Sequence, residues 1–279
     1  MNGLARFGFT LVLCLLLLLT SCTSPSPQAV APQITQSPQV VTTDPRVPAE
    51  IALLRNALAQ AVPQNGTCST VDKATWIAPA QAALVAAGMT IDRPQLLVVV
   101  DRNPGRQGLC LIVTRTDAAW QAIGGSKVST GQAGRHGYYI TPTGVFVHSD
   151  AILDYRALGT FNENHIRGLG LKGMRVWDFG WQQAEKGWTP DLQYGEIRLL
   201  IHATDPDYLE RRLGRPASQG CVRIPATMNR FLDQYGVLDA DYERAALTDA
   251  RFAAIAPPDR QSTPLAGNMM VVIDSAAGT

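Results

Sequence analysis

The sequence predicts an α+β fold, mainly β: a β sandwich or barrel-like sheet with flanking helices. Two observations carry that expectation. From Gln95 to Ile201 the chain is a succession of short, β-branched or apolar runs separated by Gly- and Pro-containing turns, the pattern of many short strands. On either side of that region, apolar residues recur instead at helical spacing.

In chain order, Ile51, Leu54, Leu58 and Val62 share one helical face, and Pro63 ends the helix. Lys73 to Ala87 forms a second helix with Trp76, Ile77, Ala80, Leu84 and Val85 on one side and Gly88 as its C-cap. Leu96–Val100 and Gly108–Val113 flank the turn Asp101-Arg102-Asn103-Pro104-Gly105 and make a hairpin. Further strand segments are Trp120–Ile123, Lys127–Thr130, Val145–Val147, Arg175–Phe179 and Ile197–Ile201. Asp150 to Lys172 is irregular and glycine-rich, the character of a lid or substrate wall. Helices are expected over Pro206–Leu213, Ile224–Tyr235 and Tyr242–Phe252, with Met269–Ile273 as a closing strand or docked tail.

The 279 residues are 46% hydrophobic and 17% charged with net charge +1, which suits one good core and no nucleic-acid partner. Leu11–Leu19 is an apolar run too short to span a membrane. It ends in Leu19-Thr20-Ser21-Cys22, which resembles the lipobox of bacterial lipoproteins. That resemblance implies a signal peptide over residues 1–21, lipidation of Cys22, and a location in the cell envelope, facing the periplasm or extracytoplasmic wall. Residues 22–50, rich in Pro, Ser, Thr and Gln, form a flexible tether of on the order of 30 Å. Residues 51–94 are then an N-terminal helical segment, 95–255 a catalytic domain, and 256–279 a C-terminal tail. Export to an oxidising compartment sorts the five cysteines. Cys14 leaves with the signal and Cys22 takes lipid. Cys68 and Cys110 are the pair expected to form a disulfide, closing a loop of about 40 residues. Cys221 is left as a thiol.

Cys221 stands in Ser218-Gln219-Gly220-Cys221-Val222-Arg223, and His202 ends the apolar strand upstream. A thiol becomes a useful nucleophile at neutral pH when a base or a positive neighbour accompanies it. His202 is the expected base for Cys221, with its second ring nitrogen turned to a nearby carbonyl such as that of Ala203. Backbone N–H groups of Gly220 and Cys221 are expected to meet an oxyanion. A helix beginning near Arg223 is expected to point its positive end at the sulfur, and Arg223 itself suits a substrate carboxylate.

The spacing His202-x15-Ser218, followed by Ser218-Gln219-Gly220-Cys221-Val222-Arg223, resembles the catalytic domain of the L,D-transpeptidase (YkuD-type) family. Thr141-Pro142-Thr143-Gly144-Val145-Phe146 is similar to that family's Thr-Pro-x-Gly-x-aromatic hairpin, and Val128-Ser129-Thr130-Gly131 upstream also fits. The resemblance covers roughly Gln95 to Tyr235. It departs at Gln219, where the family carries a second histidine; glutamine keeps a donor and an acceptor but no charge. The resemblance implies peptidoglycan stem peptides as substrate, a thioester on Cys221, and cross-linking of third-position residues without a cofactor. The alternatives are an L,D-carboxypeptidase or hydrolase of the same bonds, and a catalytically weak peptidoglycan-binding lipoprotein.

The remaining candidates are weaker. No pair among the four histidines has ligand spacing such as His-x3-His, so no metal is expected. His136 sits on a loop, His148 ends a strand, and His165 with Asn164 is placed to line a groove. Trp177, Trp181 and Trp188 are expected mainly as core, with Trp188 in a position to meet glycan.

Overall fold

The structure is a computed structural model that describes residues 44–63, 68 and 73–277. Cys14, Cys22, where lipidation is expected, and most of the expected tether lie outside the described residues. The first helix, α1 (Arg46–Ala61), starts inside the stretch expected to be tether. Its first turn buries Val47, and Glu50 accepts a 2.6 Å hydrogen bond from Thr263, so the domain begins before residue 51. A π-helical turn (Lys73–Ile77) leads into α2 (Ala78–Ala86), whose Pro79 sits in the first turn, where a missing N–H costs nothing.

Two sheets follow. One contains β1 (Gln95–Asp101), β2 (Gly108–Thr114), β3 (Gln121–Lys127), β4 (Gly144–Val147) and β9 (Met269–Ile273), in the order β3-β2-β1-β9-β4. The other contains β5 (Tyr155–Arg156), β6 (Arg175–Glu185), β7 (Tyr194–Ala203) and β8 (Val222–Ile224), in that order. The expected hairpin is β1–β2, antiparallel, with Gln95 opposite Thr114 and Asp101 opposite Gly108.

The apolar runs are continuous in β1 and β2 because both faces of this sheet are covered. Leu96, Val98 and Val100 enter the core shared with Leu199, Ile201, Val222 and Ile224 of the second sheet. Leu97, Val99 and Ile112 enter a second core closed by Trp76, Ala80 and Leu84. Cys68 and Cys110 are joined by a disulfide at this second core, with Cα atoms 5.4 Å apart.

Four segments of the C-terminal half are fixed by the structure. Of the two alternatives for Met269–Ile273, strand or tail, the structure shows the strand: β9 lies between β1 and β4, parallel to the first and antiparallel to the second, so the domain extends past residue 255. Five buried residues, Met269 to Ile273, explain why it occupies the middle of a sheet. Pro206–Leu213 forms only a 3-10 turn at Glu210–Arg212, because Asp205 draws the N–H groups of Asp207, Leu209 and Glu210 into turns. The helix expected from Ile224 is α3 (Ala226–Tyr235). Ile224 precedes Pro225, and steric conflict with the proline ring holds that residue extended. Tyr242–Phe252 divides into α4 (Ala240–Ala245) and α5 (Ala250–Ile255), the latter capped by Asp249.

The second sheet is fastened to these helices by buried charge. Arg175 is fully buried and meets Asp154 at 2.8 Å, Asp239 at 3.3 Å and Asp233 at 3.4 Å. Arg260 and Arg156 complete the pairing of Asp239 and Asp233. His148 places Nε2 at 2.9 Å from Asp154 and Nδ1 at 2.9 Å from the Leu238 carbonyl. Burial alone would discharge that imidazole, but Asp154, Asp239 and the carbonyl outweigh it, and its pKa is raised. His148, Asp154 and Asp239 have the donor types of a cation site. Here their oxygens are taken by the Arg175 guanidinium, so the group is an ion cluster.

Removing one member of such a cluster strands its partners. Arg175→Met is expected to lower the unfolding free energy by about 3–5 kcal/mol, measured by urea denaturation. A loss below about 1 kcal/mol, the range of an exposed pair, would contradict this account of the cluster.

Candidate active site

Strand β7 alternates. Leu199 and Ile201 point into the shared core and buried Ile197 alternates with them, leaving Arg198, Leu200 and His202 on the outer face of the second sheet. β8 runs parallel to β7 with Ile201 opposite Val222, His202 opposite Arg223 and Ala203 opposite Ile224. Cys221 directly precedes this ladder. By the same alternation it falls on the outer face with Arg223 and His202. The thiol reaches back along β7 and donates toward the Arg198 carbonyl, with Sγ at 3.5 Å, while the Leu200 N–H donates to the sulfur.

His202 is buried, and its Nδ1 lies 2.7 Å from the Ala203 carbonyl. A carbonyl only accepts, so Nδ1 carries the proton and Nε2 keeps its lone pair. Burial, aided by the positive charge of Arg223, brings its pKa down to about 4, against a smaller opposing effect of the Ala203 carbonyl. Burial pushes the Cys221 thiol up, while the Leu200 N–H and Arg223 oppose that and Asp178 adds to it. At neutral pH the resting pair is therefore a thiol and a neutral imidazole.

The loop before Cys221 is built from hydrogen bonds. Buried Ser218 Oγ donates to the Cys221 carbonyl at 2.5 Å and accepts the Gly220 N–H at 3.1 Å. The Gly220 N–H, expected as an oxyanion donor, is thus spent inside the loop. Thr141 Oγ1 donates to the Gly220 carbonyl at 2.7 Å and accepts the Gly131 N–H at 2.8 Å, which gives the Thr141-Pro142 turn a structural purpose. Gly220 has φ +127°, and a Cβ there would lie 2.7 Å from Ile197 Cδ1, so the position excludes a side chain. Gln219 is exposed.

Arg223 lies in β8, and the helix expected near it starts only at Ala226. Its backbone exchanges both hydrogen bonds with Ser129, and its Nη1 donates to the Ala217 carbonyl at 3.2 Å. Its Nε is buried with no partner among the described residues.

Residues not singled out in the sequence complete the surroundings. Tyr155, Asp178 and Arg198 interact electrostatically with one another, and the first two with Cys221; burial and the negative charge of Asp178 raise the Tyr155 phenol, and Cys221 adds to this once it is ionised. On the other side of the loop, the Cβ position of Gly220 is 3.5 Å from Tyr139, which packs edge-on against Trp188. Period-two spacing in β7 was the available signal for Arg198; Tyr155 and Tyr139 come from irregular segments without one. Of the expected tryptophan core, only Trp177 is buried; Trp181 is exposed beside Arg198 and Trp188 half-buried. His136 is exposed against Trp188, His165 is exposed, and His148 belongs to the ion cluster. The Asp150–Lys172 loop is anchored by Arg167, whose N–H and guanidinium donate to Asp205 and Asp207, each at 2.7 Å.

The YkuD family model, described as an L,D-transpeptidase catalytic domain, matches residues 97–240. No curated protein matches the chain. Among solved structures, a fused Zn-dependent amidase/peptidase/peptidoglycan-binding domain-containing protein from Clostridium acetobutylicum ATCC 824 aligns at 12% identity and a TM-score of 0.28. The alignment covers 72% of this chain and 61% of that one.

A raised thiol and a depressed imidazole have a direct chemical signature. Alkylation of Cys221 by neutral iodoacetamide, followed by peptide mapping, is expected to keep accelerating with pH beyond the usual thiol range. A plateau already reached near neutrality would indicate a resting thiolate and contradict this electrostatic reading.

Proposed function

This chain belongs to the YkuD family of L,D-transpeptidase catalytic domains, and on that premise we propose that it is a cysteine acyltransferase that cross-links peptidoglycan stem peptides. The observation that carries the reading is the β7–β8 pairing, which sets Cys221 and His202 on one sheet face with the Nε2 lone pair of His202 unprotonated.

In the proposed reaction His202 Nε2 takes the Cys221 proton as Sγ attacks the carbonyl of the third stem residue. The Sγ–C bond forms, the C–N bond to the terminal D-alanine breaks, and the departing amine recovers the proton from His202. An amine from a second stem then attacks the thioester, giving the cross-link and returning the thiol. With the Gly220 N–H engaged by Ser218, the Cys221 N–H is the loop donor assigned to the oxyanion. Arg223, half-buried beside the sulfur, offsets negative charge as the thiolate develops. The resemblance of Leu19-Thr20-Ser21-Cys22 to a lipobox supports adding a membrane anchor and a cell-envelope location to this proposal.

Incubating the protein with disaccharide-tetrapeptide and analysing products by mass spectrometry is expected to yield cross-linked dimers and a thioester on Cys221. Tripeptide alone would replace the transferase by a carboxypeptidase, and neither product would overturn the enzymatic reading. Cys221→Ala is expected to abolish product and adduct together. Because His202 must be neutral to accept the proton, kcat/KM is expected to be flat through neutrality on its acid side. It should fall only as pH drops through about 4. An acid limb near the ordinary histidine value would show that another group controls the step.

A further inference from the structure

One charged group beside Cys221 is not used by that mechanism. Arg198 is 43% exposed, yet its partner Asp178 is 3% exposed and fixed from three directions. The β6–β7 register slips between Asp178 and Trp181, forming a bulge. Within it Gly180 adopts φ +75° and donates its N–H to Asp178 Oδ1 at 2.8 Å. The Asp178 N–H in turn donates to Asp154 Oδ1 at 2.9 Å. Arg198 Nε reaches both Asp178 oxygens, at 3.0 and 2.8 Å, and Nη2 reaches Oδ2 at 2.8 Å.

This geometry holds a guanidinium rather than merely neutralising it. A buried carboxylate without its counter-charge is costly, so Asp178 keeps Arg198 in one orientation. The exposed Trp181 ring, opposite Arg198 in the ladder, lies 5.8 Å from the guanidinium carbon and shields one face from water. Nη1 meets no acceptor among the described residues. The same residue's carbonyl is 3.5 Å from the Cys221 sulfur, so the open donors lie within one side-chain length of the reacting atom.

We propose that Arg198, held by Asp178 and Trp181, is the anchor for a substrate carboxylate that flanks the bond broken at Cys221. A pre-oriented guanidinium recognises a planar carboxylate through charge-assisted hydrogen bonds, at little further cost in side-chain entropy. The proposal rests on the acyl-transfer reading for its choice of peptide. A stem tetrapeptide whose third residue is a diamino diacid offers two such groups beside that bond, the terminal carboxylate and the side-chain carboxylate of the third residue.

The test is binding to the full chain carrying Cys221→Ala, by calorimetry, with three probes. These are the free tetrapeptide, its terminal amide, and its third-residue side-chain amide. One of the two amides is expected to bind about tenfold or more weakly than the free acid, which identifies the carboxylate. Arg198→Ala alone would strand the Asp178 charge, so the comparison uses Asp178→Asn with Arg198→Gln, which removes both charges. In that variant the same amide is expected to bind as the free acid does. Equal binding of all three peptides to the starting protein, a penalty that persists in the double variant, or no binding by any peptide would overturn the anchor. Failure of the acyl-transfer reading shows separately, as a missing Cys221 thioester in the chain with its cysteine intact.

Discussion

A guanidinium with no access to water must find its counter-charge inside the protein, and Arg175 is in that position. Its three carboxylates come from separate parts of the chain: Asp154 before β5, Asp233 in α3 and Asp239 before α4. Satisfying one cation therefore fastens the helical C-terminal region to the second sheet. His148 joins the same cluster from the end of β4, so the first sheet is tied in as well. The arrangement does not add stability over a well-packed apolar equivalent by default; its effect is that any rearrangement leaves buried charge exposed to low dielectric.

The cluster also reaches the thiol through few intermediates. Asp154 accepts the Asp178 N–H, Asp178 grips Arg198, and the Arg198 carbonyl meets the Cys221 sulfur. A bulge in β6 makes this chain of contacts feasible by turning Asp178 under Arg198. On the opposite side, Thr141, Gly131, Ser218 and Gly220 fix the loop that carries the nucleophile. The sulfur is thus held between two hydrogen-bonded walls, and the loop wall is built from backbone groups and short side chains with little rotamer freedom to lose.

The electrostatics of the pair follow from the same enclosure. Burial disfavours both charged forms, raising the thiol and lowering the imidazole. Arg223 acts in both directions, favouring a thiolate and opposing an imidazolium. A neutral resting pair protects the thiol from oxidation and leaves His202 competent as a base across the neutral range.

By itself the amino-acid sequence determined the strand-rich fold, the β1–β2 hairpin, and the pairing of Cys221 with His202 as the chemistry to expect. Period-two and helical spacing, turn residues and the Ser218–Arg223 motif are all local signals. What only the tertiary structure decided depends on contacts between distant segments. Met269–Ile273 became a central strand because β1 and β4 both offered it a free edge. Arg223 became a strand residue because Ser129 and His202 flank it and Pro225 delays the helix. The Gly220 N–H turned inward to Ser218. Asp178 and Arg198 became neighbours of the sulfur through a bulge that leaves no mark in hydrophobic periodicity. The pairing of buried charges such as Arg175 and His148 leaves no sign in sequence, because their partners lie up to 90 positions away and only folding brings them within hydrogen-bonding distance.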